Sequence, residues 1–270
     1  MIAANKDTLR TLEDGTRSWF DDVQKILPGL GKSDRTSLET NKGYALFCGK
    51  DSHFNTVHGL SNHEFITFED LKPFMDFYRG QTSWFEVVAR PGCAPSLIQS
   101  LVSVGAEFQQ WENILYRNCK QLEISSTDLG PGFRIEEEHN RLGKEHCLDA
   151  IAAGFGIEHP LPDSIVQMNL IVQNDPKLRV FSARYEGRPV GGAMLRVSGD
   201  QAILAMGGVI KEFRGTGLHK ALVEARIQAA KDAGCETAFY HASPGSSSQR
   251  NSEKFGFQVL CTEQVWIIRP

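Results

Sequence analysis

The sequence predicts an α/β (α+β) protein: a mixed, mostly antiparallel twisted sheet flanked by helices, built from two similar halves. Three observations carry that expectation. The apolar runs Arg179–Tyr185, Pro189–Val197 and Ala202–Val209 are separated only by turns at Glu186-Gly187 and Gly199-Asp200, the pattern of consecutive antiparallel strands. The last run leads through a glycine-containing turn into a helix over 218–233, where Leu218, Leu222, Ala225 and Ala229 recur at helical spacing. The order helix, strand, helix, strand then occurs in both halves. Even the punctuation matches, with Val104-Gly105-Ala106-Glu107-Phe108 set against Lys254-Phe255-Gly256-Phe257.

Taken from the start, Leu9, Leu12, Trp19, Phe20, Val23 and Ile26 predict an amphipathic helix that Gly15 interrupts, ended by Pro28-Gly29 and Gly31-Lys32-Ser33. Tyr44–Cys48 and Asn55–Leu60 read as strands joined by the polar stretch Gly49–Phe54. Thr67 caps a helix reaching Tyr78, with Glu69 and Asp70 in its first turn. Trp84–Ala89 is a strand, Pro95–Val104 a helix closed by Gly105, and Phe108–Tyr116 a strand. Residues 120–132 differ in composition from both flanks and contain Ser125-Ser126-Thr127-Asp128 and Gly130-Pro131-Gly132. They divide a first domain, 1–125, from a second, 133–270. Phe133–Glu137 opens the second as a strand, followed by helices over Arg141–Ala153 and from Asp163 or Ser164 onward. After the central helix come a strand at 236–241, a helix at 244–255 and a strand at 257–268.

Composition narrows the function. The chain has 270 residues, 41% hydrophobic and 23% charged, which suits a globular protein of one large or two medium domains. A net charge of −4 argues against nucleic acid or an anionic membrane as partner. No apolar run reaches membrane-spanning length, and the first twenty residues lack an apolar signal core, so a cytoplasmic location is expected. The six cysteines form no C-x-x-C and fit free thiols in a reducing compartment. His139, His146 and Cys147 have no zinc spacing, and no metal is expected.

The turn Lys211–Gly217 carries the chemistry. Its glycines let backbone approach a ligand closely. The free N–H groups of the following helix, with the positive end of its dipole, form an anion site suited to a pyrophosphate. Arg214 and Lys220 add positive charge. Neither G-x-G-x-x-G nor G-x-x-x-x-G-K-[ST] is present, since Lys220 stands where a third glycine belongs.

Arg214-Gly215-Thr216-Gly217-Leu218-His219 resembles the acetyl-CoA motif [RQ]-x-x-G-x-[GA] of the GNAT superfamily of N-acyltransferases. The sixth position holds His219 where a small residue is usual, so its ring must point away from the pyrophosphate or contact it. From about 133 to 268 the order of elements also resembles a GNAT domain, including the terminal Gly256-Phe257 pair. The segments around Pro244–Asn251 and 74–108 resemble a two-domain bacterial subgroup, so the first half reads as a degenerate GNAT-like copy without the R-x-x-G-x-G turn.

The resemblance implies acetyl-CoA as co-substrate and a small-molecule or peptide amine as acceptor. Gly207, Gly208 and Val209 pair with the pantetheine arm. The N–H groups of Gly215, Thr216, Gly217, Leu218 and His219 hold the pyrophosphate beside Arg214 and Lys220. Ser248 and Asn251 hydrogen-bond the cofactor or its sulfur. Attack of an amine on a thioester needs positioning, a polarised carbonyl and a route for protons. Many relatives supply the thiolate's proton from a tyrosine four residues before the Gly of Gly-Phe, and here that position is Ser252. Tyr240 and His241, ending the strand before the last helix, are the candidate proton carriers, with Glu137 or Glu138 as base through water. A non-catalytic CoA-binding or protein-interaction module that keeps the fold is the competing expectation, and an enzyme for another pyrophosphate-bearing ligand a third.

Overall fold

The computed structural model describes residues 6–27, 36–121 and 127–270. The breaks at Pro28-Gly29 and Gly31-Lys32-Ser33, and the Ser125-Ser126 part of the linker, lie outside them. The first half contains α1 (Lys6–Ile26), β1 (Ser37–Glu39), β2 (Tyr44–Leu46), β3 (Thr56–His58), α2 (Phe68–Tyr78), β4 (Phe85–Ala89), α3 (Pro95–Ser103) and β5 (Glu107–Asn118). The second contains β6 (Phe133–Glu138), α4 (Arg141–Gly154), α5 (Asp163–Asn174), β7 (Leu178–Tyr185), β8 (Arg188–Ser198), β9 (Gln201–Val209), α6 (Leu218–Asp232), β10 (Thr237–Ala242), α7 (Ser247–Lys254) and β11 (Gln258–Ile268).

Local chemistry explains the main boundaries. Asp70 caps α2 by accepting from both the N–H and the hydroxyl of Thr67, each at 2.8 Å. The Asn140 side chain accepts from Gly143 N–H and starts α4. Both central residues of the β7–β8 hairpin, Glu186 and Gly187, have positive φ, as a two-residue turn of that hand requires. Helix α1 runs through Gly15 without a break, contrary to the sequence expectation. A Cβ there would sit 2.5 Å from Gln201 Oε1, so the missing side chain is what lets the helix lie close to β9. The short strands β2 and β3 stop earlier than their apolar runs predict. The chain between them turns instead on the side chain of Asn55, which accepts from Cys48 N–H and donates to Gly49 O.

All strands join one 11-stranded sheet in the order β1-β2-β3-β4-β11-β5-β10-β9-β8-β7-β6. Among the described residues only β3–β4 and β9–β10 pair in parallel. The sheet is mixed and mostly antiparallel, with helices on its faces. The order α2-β4-α3-β5 recurs as α6-β10-α7-β11. Each copy ends by skipping a place in the sheet. Strand β11 fits between β4 and β5, and β5 fits between β11 and β10. The last strand of each half therefore closes the ladder of the other.

The core follows this exchange. Helix α1 lays Leu12 on Ile114 of β5, Phe239 of β10, and Leu260 and Cys261 of β11. On the opposite face α6 packs Leu218, Leu222, Val223 and Ile227 against Leu195, Leu204 and Ala238. Arg90 joins the halves by charge, bonding Glu263 at 2.5 Å and also Glu13 of α1. Residues 127–270 produced alone leave the β10 edge without β5 and β11 without β4. We expect that fragment to aggregate, and co-expression with residues 1–121 to return a soluble 1:1 pair, read by size-exclusion chromatography.

Candidate active site

Strands β9 and β10 pair from Gln201↔Thr237 to Leu204↔Tyr240 and then part. At the same level β9 slips its register against β8, between Gly192/Met194 on one strand and Gly208/Ala205 on the other, with Met206 at φ 45°. The slip is a bulge of the kind that re-aims backbone groups next to a site. A residue with no sequence signal holds it. Arg226 of α6 is fully buried and donates to Met194 O and Ala205 O, each at 3.2 Å, and to Leu222 O at 3.0 Å. Burial pushes its pKa down to about 10, the Tyr240 hydroxyl working the other way. A cation at full burial is maintained by such carbonyl partners.

The parted strands open into a cavity of ≈ 530 Å³ between the end of α4, the end of β9, the start of α6 and the start of α7. That volume is in the range of small-molecule sites. Nearly all of the sequence-predicted cofactor residues line it: Gly207, Gly208 and Val209 on one wall, Arg214, Gly215, Gly217, Leu218, His219 and Lys220 on the second, Ser248 and Asn251 on the third. Thr216 does not. Its hydroxyl donates to Phe213 O at 2.7 Å and closes the turn. Gly217 caps α6 in the left-handed region, φ 88°, and no acidic residue occupies the first turn of that helix.

Two cationic residues behave differently from what the motif suggests. The Arg214 guanidinium folds back, donating to Val209 O at 3.1 Å and Gly154 O at 2.8 Å. It ties the end of α4 to the end of β9 and so sets the width of the cavity. Lys220 remains exposed at the helix start, 3.7 Å from Glu224. His219 turns inward, its Nε2 3.7 Å from where a Cβ on Gly207 would sit. Burial, and then the charge of Arg226, lower its pKa to about 4, so the ring is neutral at pH 7. The bulk at this motif position is thus accommodated beneath β9.

Of the proton-transfer candidates, Tyr240 and His241 reach the parting strands and Glu137 does not. Tyr240 points to the α6–α7 face, its hydroxyl 2.8 Å from Ser248 Oγ. His241, the next residue, points to the α1 face and lies 3.4 Å from Glu112. Glu137 sits on β6, at the sheet edge beyond β7 and β8, in a two-pronged pair with Arg179 at 2.8 and 2.5 Å. Those hydrogen bonds lower its pKa, so it is a structural carboxylate and not a base for this cavity. Ser252 is buried and spends its hydroxyl on Gln249 O.

Among the described residues, the helix of the first half that corresponds to α6 starts differently. Helix α2 follows β3 as α6 follows β9, but its first turn holds Glu69 and Asp70, and the Asp70 carboxylate already occupies the capping position. A second anion is repelled there. Among the described residues no group of three or more His, Cys, Asp or Glu is arranged to hold a metal ion. Among the described residues no helix is long and apolar enough to cross a membrane.

Two measurements test this geometry. A Cβ at Gly154 would come 2.8 Å from Val209 N and 2.9 Å from Gly208 C, both backbone. Gly154→Ala must push α4 off β9, and we expect a loss of about 1–3 kcal/mol in denaturant unfolding. The depressed His219 pKa means that below about pH 6.5 the unfolded chain takes up a proton the folded chain refuses until about pH 4. Stability from this group is therefore lost as pH falls through that window. His219→Gln should flatten the acid arm of the melting-temperature profile, in part only, since buried His58 is lowered to about 4 as well.

Comparison with known proteins agrees with the architecture. The family model for the acetyltransferase (GNAT) family matches residues 146–257. A GCN5-related N-acetyltransferase from Kribbella flavida superposes with a TM-score of 0.62 at 14% identity, over 92% of this chain and 96% of that one. A GCN5-related N-acetyltransferase from Sphaerobacter thermophilus gives 0.58 at 16% identity over 75% of this chain, which spans only 65% of that protein's length. A tandem GNAT protein from the clavulanic acid biosynthesis pathway gives 0.60 at 10% identity, over 99% of this chain and 96% of that one. No curated protein matches the sequence. Residues 146–257 thus match the acetyltransferase (GNAT) family model, and the chain shares its fold with solved GNAT proteins, a tandem one among them.

Proposed function

We propose that the protein is an acetyl-CoA-dependent N-acetyltransferase that moves an acetyl group onto a primary amine by direct attack on the thioester. The observation that carries this reading is the convergence of two features on one cavity: the acid-free N-terminus of α6 and the parted ends of β9 and β10. The helix start suits a pyrophosphate, because its unpaired N–H groups and dipole favour an anion, with Lys220 alongside. The parted strands leave β9 at Gly207 and Gly208 without a β10 partner, an edge open to an amide-bearing arm such as pantetheine. The bulge held by Arg226 fixes the direction of those groups before any ligand arrives, as electrostatic stabilisation of a developing oxyanion requires.

Acetyl transfer forms one C–N bond, breaks one C–S bond and leaves a thiolate that takes a proton. The Tyr240 hydroxyl, hydrogen-bonded to Ser248 on the cavity side of β10, supplies that proton in place of the tyrosine that Ser252 replaces. The catalytic half is 133–270, the half at 1–125 is an accessory copy, and six free cysteines fit a reducing cytoplasm. One observation favours a second reading, a CoA-binding module without turnover: Ser252 is buried and tied to Gln249, so the position used by many relatives offers no acid.

Calorimetric titration with acetyl-CoA, followed by assay of a panel of primary amines, separates the two. Saturable 1:1 binding with transfer supports the enzyme, and binding without transfer supports the module. Arg214→Glu breaks the tie to Gly154 O and Val209 O and places an anion at the helix start. We expect at least a tenfold loss of acetyl-CoA affinity, and unchanged affinity sinks the assigned site. Tyr240→Phe should lower kcat by about 10²-fold with affinity unchanged, the signature of an interaction made in the transition state.

A further inference from the structure

Strand β5 of the first half and β10 of the second place a polar pair, Glu112 and His241, on the sheet face that α1 covers. Side chains of successive strand residues point to opposite faces, so His241 faces away from Tyr240 and from the cavity side of the sheet. It is the first β10 residue beyond the last β9–β10 pair, and 39% of its side chain is exposed. On that face β10 pairs with β5 in the register His241↔Ile114, which brings Glu112, two residues along the same face, beside the imidazole. Glu112 Oε2 lies 3.4 Å from His241 Nδ1. A carboxylate accepts, so Nδ1 carries the hydrogen and Nε2 is left with its lone pair. The carboxylate on the neighbouring strand, Glu263, is bonded to Arg90.

We propose that His241, oriented by Glu112, is the base that takes the proton from the acceptor amine, and that the amine enters from the α1 face while the thioester lies on the α6 face. This rests on the acetyltransferase reading above and adds the acceptor-side chemistry to it. An aliphatic amine arrives as an ammonium ion. Its proton passes to His241 Nε2 and from there to solvent. The freed nitrogen pair attacks the thioester carbonyl, the C–N bond forms and the C–S bond breaks. The nitrogen's second proton leaves through solvent as Tyr240 protonates the thiolate and is itself recharged. The sum is ammonium plus thioester giving amide, thiol and one proton. Glu112 serves as the positioning residue: it selects the tautomer, and its charge stabilises the imidazolium.

The groups facing His241 fix the sign of the pH dependence. Burial lowers its pKa, but the hydrogen bond and charge of Glu112, with Glu263 behind, outweigh burial and the opposing charge of Arg90, for a net rise. His58 on the same face stays neutral, lowered to about 4 by burial. The rate should therefore climb with pH through a value above 6.5. Replacing Glu112 by Gln removes the stabilising charge and should move that limb to lower pH by about one unit.

The test measures acetyl-CoA affinity by calorimetry, and kcat and kcat/KM against pH with a primary amine, for wild type, His241→Gln and Glu112→Gln. We expect His241→Gln to keep its acetyl-CoA affinity and lose about 10²-fold in kcat at pH 7 with the acid limb gone. Glu112→Gln should keep affinity and show the shifted limb, which a merely structural role would leave in place. Turnover by His241→Gln with the wild-type limb overturns the dyad and leaves the acetyltransferase reading standing. Wild type that binds acetyl-CoA but acetylates no amine, or that fails to bind it, overturns both.

Discussion

Strands β5 and β11 lie side by side at the middle of the sheet, each extending the ladder of the half it does not follow in sequence. Backbone N–H and C=O groups need partners wherever they are buried, and neither half supplies them for its own inner strand. Strand β10 gains its second neighbour only from the first half, and β4 gains its own only from the second. Helix α1 seals this junction by covering β5, β10 and β11 with Leu12. The charge bridge from Glu13 through Arg90 to Glu263 crosses the same seam. The first half is needed by the sheet for this reason alone, whatever it binds.

The same junction sets the active-site cavity. β10 is held on one edge by β5 and can part from β9 on the other without fraying. Arg226 holds β9 bulged at the level where they part, and Arg214 holds α4 against its end. Both guanidiniums act on carbonyl oxygens, and neither bonds a backbone N–H at the start of α6. The contrast between α6 and α2 makes the point in charge: the two helices start at equivalent places, and only α2 fills its own N-terminus with carboxylates. Among the described residues, the start of α6 is free of acidic side chains and the start of α2 is not.

Much of this was legible in local pattern. The hairpin at Glu186-Gly187, the glycine turn before α6 and the doubled helix-strand order all depend on neighbours within a few residues, and all stand where the sequence places them. The cavity-lining residues around Gly207, Gly215 and Gly217 were legible for the same reason, since a turn and a helix start are local objects. Gly15 was misread because its meaning is a contact with Gln201, nearly two hundred positions away. Glu137 was misread because proximity along the chain to the second domain's start says nothing of its place on the outermost strand.

Sequence by itself determined most of the elements, the glycine turn before α6 and the acidic first turn of α2, because backbone conformation and helix-end chemistry are set by adjacent residues. Tertiary structure alone decided that the halves exchange their final strands, that Arg226 holds the bulge, that Arg214 binds backbone, and that Glu112 faces His241 from 129 positions away. Those are pairings across a sheet, and strand order depends on which edges are left unsatisfied when the whole chain is folded.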